Sequence, residues 1–305
     1  YLLAAAWERA LGLSEASIRS LSLLASALSA VALLLFARRF FGGEAALYAT
    51  LLSLASGEQA YYATEARSYA LSGLLCLLSF HVYLRGFARS DGRGLWWLAP
   101  LNALAVWVHF TAAFAFLAQL AGAALVVRKE PRAALRYGAS QLLALVLFLP
   151  EAGHLFRQMP RAGEFWLRVP GAEQLLRLLL DFAGGGVALA LYGALFAAGA
   201  YLALRRRTPD RTPAHPVAVV ALWAFLPIAA AFVVPQATPV FLTRYLLFAS
   251  FAWFLLAARI AAALPLPAPA RSAVALALAA SSLAAFGEGG YPAPDWRAIA
   301  ASVER

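Results

Sequence analysis

An all-α bundle that crosses a membrane many times is what this sequence predicts. Three observations predict it: 63% of the 305 residues are hydrophobic, only 13% are charged, and the cations crowd into every second gap between about ten apolar stretches. Such a composition is far from the globular average, and a chain of this kind buries its apolar surface in lipid.

The stretches run, approximately, over residues 18–36, 44–62, 68–84, 95–108, 110–127, 137–150, 186–204, 216–234, 241–258 and 272–286. Most approach the ~20 residues a helix needs to cross hydrocarbon; 95–108 and 137–150 are short. The gap after the first holds Arg38 and Arg39. The next holds 57–67, then comes a gap with Arg85, Arg89 and Arg93, then the turn near His109, then a gap with Arg128, Lys129, Arg132 and Arg136. A long segment, 151–185, follows. Arg205, Arg206, Arg207 and Arg211 come next, then 235–243, then Arg259 and Arg271, and last the tail from Gly287. Alternate gaps thus collect fifteen of the twenty-five cations with four of the fifteen acids, while the other set has ten cations against eleven acids. This is the bias of a multi-span protein whose basic side faces the cytoplasm.

The formal charge of +10 does not point to nucleic acid, because no gap carries a basic run interleaved with base-stacking aromatics. The single cysteine, Cys76, lies inside a span, so no disulfide forms within the chain and no thiolate metal site is available. Phosphate loops of the GxxxxGK type, dinucleotide fingerprints, DxD pairs and His-rich metal spacings are absent, so nothing grips a nucleotide and hydrolase readings have little support.

Chemistry is therefore expected in the less basic gaps. Leu3, Trp7 and Leu11 make an apolar face against Glu8 and Arg9, and Glu173, Arg177 and Asp181 form a stripe at four-residue spacing beside leucines; both segments read as helices lying in the membrane surface. Tyr61 and Tyr62, Trp96 and Trp97, and Phe165 and Trp166 mark water boundaries. Gly184, Gly185 and Gly186 end the long loop as a flexible entry to the next span.

The segment YYATEARSYAL, Tyr61 to Leu71, is the strongest local signal. It sets Glu65, Arg67 and Tyr69 at one end of a span, where an arginine below the headgroups costs up to ~3 kcal/mol unless partnered. A phosphate at the membrane surface uses a guanidinium well, through two parallel hydrogen bonds; an ion pair to Glu65 or Glu58 is the plainer alternative. Arg244 and Tyr245, in FLTRYLLF, repeat the pattern at another span, either gripping the same anion or snorkelling to the surface. His109, in WVHFTAAF, is placed to donate to a phosphate or sugar oxygen, or to serve as a satisfied structural group.

With WERALGLSEASIRSLSLLASAL near the start, EFWLRVPGAEQLL in the long loop and DWRAIA at the end, these segments give the chain its resemblance: it is similar to the membrane domain of family 39-type glycosyltransferases of the GT-C fold. That group includes protein O-mannosyltransferases and lipid A aminoarabinose transferases. The resemblance implies a membrane domain over 1–286, followed by the start of a non-cytoplasmic tail or further domain at 287–305. It implies transfer of a sugar, with inversion, from a polyprenyl-phosphate donor to a lipid, glycan or protein acceptor on the non-cytoplasmic side of the inner membrane. Glu65, Arg67, Tyr69, His109, Arg244 and Tyr245 then become candidates for donor-phosphate and substrate binding. The family's catalytic carboxylate follows an earlier span and is expected upstream of Tyr1, so the catalytic base is unknown. A divalent cation is compatible with the resemblance, but the sequence offers no oxygen cluster from which to infer one.

A secondary transporter or lipid flippase is the competing reading, and a scaffold that binds lipid or a partner through 151–185 is a third. A transporter calls for polar groups and broken helices near mid-membrane, whereas the span middles here read as almost purely Ala, Leu, Val and Phe.

Overall fold

The structure is a computed structural model that describes residues 2–12, 14–88, 92–162, 170–205, 214–233 and 241–289. Within them the chain forms α1 (Leu2–Leu11), α2 (Glu15–Phe41), α3 (Gly43–Leu54), α4 (Gly57–Thr64), α5 (Tyr69–Phe87), α6 (Leu98–Val108) and α7 (Ala112–Val126). It continues as α8 (Pro131–Ala162), α9 (Ala172–Ala183), α10 (Gly186–Arg205), α11 (Ala214–Val233), α12 (Leu247–Ala263) and α13 (Ala268–Gly289). Short 3-10 turns, Arg93–Trp97 and Thr243–Leu246, lead into α6 and α12. Among the described residues seven helices are long and apolar enough to cross a membrane: α2, α5, α8, α10, α11, α12 with its leading turn, and α13. All ten expected stretches are helical, but three fall short of a full crossing. The stretch 44–62 divides into α3 and α4, while α6 and α7 have 11 and 15 residues.

Local chemistry sets these boundaries. Ser14 Oγ accepts from the N–H of Ser17 at 3.1 Å and starts α2. Ser56 Oγ accepts from the N–H of Gln59 at 3.3 Å and starts α4, which explains the break in what reads as one apolar run. Between α2 and α3 the chain turns at Gly42, whose φ of 94° suits a residue without Cβ. Gly184, at φ 83°, closes α9; a Cβ there would meet Ser282 of α13 at 2.8 Å, and Ser282 Oγ donates to the carbonyl of Ala183 at 2.6 Å. The glycines expected to loosen the loop end instead admit a close helix contact.

The core is centred on α12, whose residues from Leu247 to Ala258 are buried. It packs against α3, α5, α10 and α11. Trp253 meets Phe182, Tyr192, Phe196 and Phe225, and Phe80 stacks on Trp223 at 4.0 Å. At the end bearing the basic gaps, Arg271 of α13 holds both carboxylate oxygens of Glu44 of α3, at 2.7 and 2.9 Å. Trp96 and Trp97 are exposed at that end.

One expectation about the span interiors needs correction. Ser79 of α5, Asn102 of α6 and Gln119 of α7 form a closed ring of buried hydrogen bonds. Ser79 Oγ donates to Asn102 Oδ1, Asn102 Nδ2 to Gln119 Oε1 at 3.1 Å, and Gln119 Nε2 back to Ser79 Oγ at 2.7 Å. Asn102 Nδ2 also reaches Gln141 Oε1 of α8 at 2.9 Å. Amides in an apolar frame are costly unless paired, and here each pairs with another, tying the two short helices into the bundle.

α1 docks through Trp7, whose Nε1 donates to Ser20 Oγ at 2.9 Å and lies 3.2 Å from the carbonyl of Ser17. Phe165 and Trp166, Asp91, Arg206 to Arg211, and the tail beyond residue 289 lie outside the described residues, and with them most of the 287–305 segment.

Candidate functional site

The site is built where α4, the start of α5, the turn between α6 and α7, α9 and the 3-10 turn before α12 meet, at the end opposite the basic gaps. α4 packs against α2, α5, α9 and α13, and α9 against the 3-10 turn. Gly57, first residue of α4, lies under Phe286, which a Cβ would meet at 2.5 Å. Farther along, Gln59 Nε2 donates to Ser250 Oγ of α12 at 2.7 Å, so α4 is pinned across the bundle.

The predicted residues converge here. The ring of Tyr69 lies 5.4 Å from that of His109 and 6.2 Å from that of Tyr245, and His109 and Tyr245 are 5.1 Å apart. Tyr62 meets Tyr69 edge-on at 5.3 Å, and Tyr61 meets Tyr62 at 5.0 Å. The charge of Arg244 reaches Tyr61, Tyr62, Tyr69 and His109, while that of Arg67 also reaches Tyr69. Glu65, in the bend after α4, accepts a hydrogen bond from the hydroxyl of Tyr61. Arg67 is exposed, and its carbonyl accepts from Ser22 Oγ of α2 at 3.1 Å, which fixes the bend against the first long helix.

Arg244 is half-buried, its Cζ 5.6 Å from the ring centre of Tyr245, and its Nε is buried without a hydrogen-bond partner among the described residues. Among the described residues the indole N–H groups of Trp223 and Trp253, which are neutral, and Nη1 of Arg136, at the basic end, are likewise unanswered; a guanidinium N–H left so costs more than a neutral one, and Arg244 is the case that lies within this cluster of rings. His109 is wedged between the tyrosines and bonded to Thr111 Oγ1 at 2.7 Å, whose hydroxyl donates to the carbonyl of Tyr245 at 2.7 Å. Burial first, and then the charge of Arg244, push the His109 imidazole down to about 4.

Two carboxylates join the site that the sequence read only as an ion-pair partner for Arg67 and as part of a surface stripe. Glu58 of α4 is 1% exposed, and burial, followed by the charge of Asp181, pushes its carboxyl up to about 8. Asp181 of α9 accepts from Thr243 Oγ1 at 2.8 Å; burial raises its pKa, while the Thr243 bond and the charge of Arg177 oppose that. Glu173 and Arg177 stay exposed, so the stripe expected to face water turns inward at its third residue. Sequence spacing alone holds no signal for that, because Thr243 is 62 residues away. A divalent ion finds no donor set at this point: among the described residues no three His, Cys, Asp or Glu side chains gather, and hard cations take six or more oxygens.

Residues 2–154 match the dolichyl-phosphate-mannose-protein mannosyltransferase family. That span covers α1 to most of α8 and includes Glu58, Glu65, Arg67, Tyr69 and His109. Among solved structures, ArnT from Cupriavidus metallidurans, crystallised in the apo state, superposes with a TM-score of 0.62 at 18% identity, over 89% of this chain and 50% of that one. The likeness is one of fold, the GT-C membrane bundle, and the chain spans about half the length of that protein. No curated protein matches.

Proposed function

Since the chain belongs to the dolichyl-phosphate-mannose-protein mannosyltransferase family, we propose that it is an inverting membrane glycosyltransferase using a polyprenyl-phosphate sugar. The acceptor is a lipid, glycan or protein, and transfer takes place on the non-cytoplasmic face of the inner membrane. The half-buried guanidinium of Arg244, set among Tyr69, His109 and Tyr245 with its Nε unanswered among the described residues, is the observation that carries this reading. A half-buried cation with a buried, unanswered Nε–H, on the side away from the cytoplasmic arginines, suits a lipid phosphate at the membrane boundary.

An acceptor hydroxyl or amine, giving its proton to a carboxylate, attacks the anomeric carbon. The bond from that carbon to the phosphate oxygen breaks, and its electron pair leaves with the lipid phosphate. Negative charge grows on the phosphate as the bond lengthens, so Arg244 and Arg67 bind the transition state more strongly than the ground state. Burial and the charge of Asp181 push the Glu58 carboxyl up to about 8, so it is a weaker candidate for this base than an ionised carboxylate. The secondary transporter and flippase readings need open polar groups at mid-membrane, and the buried amides of α5 to α8 are bonded to one another.

Arg67→Ala and Arg244→Ala in the full chain, assayed for transfer from polyprenyl-phosphate sugars, test the reading. Each is expected to lower turnover roughly a hundredfold. Near-normal turnover in both refutes it.

A further inference from the structure

We infer that His109 recognises a hydroxyl of the transferred sugar, accepting its hydrogen bond at Nε2, and takes no part in gripping the phosphate. The inference rests on the function proposed above and divides that site into two parts.

Thr111 sets the direction of the bonds. Its Oγ1 lies 2.7 Å from the main-chain carbonyl oxygen of Tyr245, which can only accept, so the single hydroxyl proton of Thr111 points there. The same Oγ1 lies 2.7 Å from Nδ1 of His109. With its proton committed, Thr111 can only accept from the imidazole, and Nδ1 therefore carries the ring proton. A neutral imidazole has one N–H, so Nε2 is left with a lone pair. A lone pair repels a phosphate oxygen and accepts from an O–H.

The second proton, which would turn Nε2 into a donor, is kept off by burial and by the neighbouring guanidinium of Arg244. The rings against His109 are those of Tyr69 and Tyr245, whose faces suit the apolar side of a pyranose. The arrangement also explains how two functions keep their spacing. Tyr245, whose carbonyl sets the tautomer, directly follows Arg244, so the phosphate clamp and the hydroxyl acceptor are tied to adjacent residues of one short turn.

The test uses the full chain with ¹⁵N-labelled histidine, its His109 signals identified by their loss in His109→Gln. Bare polyprenyl phosphate is compared with mannosyl, glucosyl and arabinosyl polyprenyl phosphates. The free protein is expected to show the Nδ1–H tautomer, and the Nε2 signal to move with a sugar-bearing lipid but not with the bare one. Thr111→Val should reduce the preference for the sugar-bearing over the bare lipid by about tenfold, with Thr111→Ser restoring it. An Nε2–H tautomer, an equal response to bare lipid, or a response only to an added acceptor overturns the assignment. So does binding of the lipids with no change at Nε2. If no lipid binds at all, the proposed function itself fails, and this inference with it.

Discussion

Two groups of polar side chains, both set in an apolar frame, meet opposite fates in this fold. Between α5 and α8, Ser79, Asn102 and Gln119 close a ring, and Asn102 extends it to Gln141. At the far end, Arg244 keeps a buried N–H without a partner, and burial distorts the proton affinities of Glu58 and His109. Polar groups are buried in both places, but at the far end the Nε of Arg244 is left unanswered among the described residues. A polar network that satisfies itself holds helices together; one that leaves a charge unanswered is arranged for something that arrives from outside.

Four substitutions break or sharpen this contrast. The largest effect is expected for Arg244→Ala, at ~3 kcal/mol of transition-state stabilisation and hence roughly a hundredfold in turnover, with the thermal midpoint nearly unchanged. Asn102→Leu should do the reverse. It leaves Ser79, Gln119 and Gln141 with groups unpaired, costs about 2 kcal/mol of stability and lowers the melting temperature, while kcat in the folded fraction stays close to the parent.

Glu58→Gln separates the regions by pH. The carboxyl titrates at 4.5 in its ordinary state and at about 8 in the folded protein. As pH rises between those values the unfolded chain ionises while the folded one holds its proton, so stability is fully present below about 4.5 and is lost through pH 8. Melting curves of the parent should fall across that window by about a few kcal/mol, and those of Glu58→Gln should be flatter. A parent curve without slope would contradict the burial ascribed to Glu58. The smallest effect belongs to Arg271→Ala at the basic end. Its pair with Glu44 is partly exposed, so only a small fall in denaturant midpoints is expected, with no change in activity.

Much of this was legible in the residues. The alternation of arginine-rich gaps placed the helix ends, and YYATEARSYAL, WVHF and FLTRYLLF, though far apart in sequence, named residues that meet within one cluster of rings. Three things were not legible. The break at Ser56 hides in an apolar run, because one hydroxyl capping α4 leaves hydropathy almost unchanged. Ser79, Asn102, Gln119 and Gln141 are scattered over four stretches, and a lone amide in a span gives no sign of its partners. Glu58 and Asp181 read as ordinary loop and surface acids, since their burial arises from α4 and α9 packing together.

The most direct test of the site is a photoreactive polyprenyl-phosphate sugar, with the reactive group beside the phosphate, followed by mapping of the labelled peptides in the full chain. Labels within residues 61–69 and 243–246, lost in Arg244→Ala, are the predicted result. Labels confined to the basic end, around residues 82–97, or unaffected by that substitution, would contradict the account.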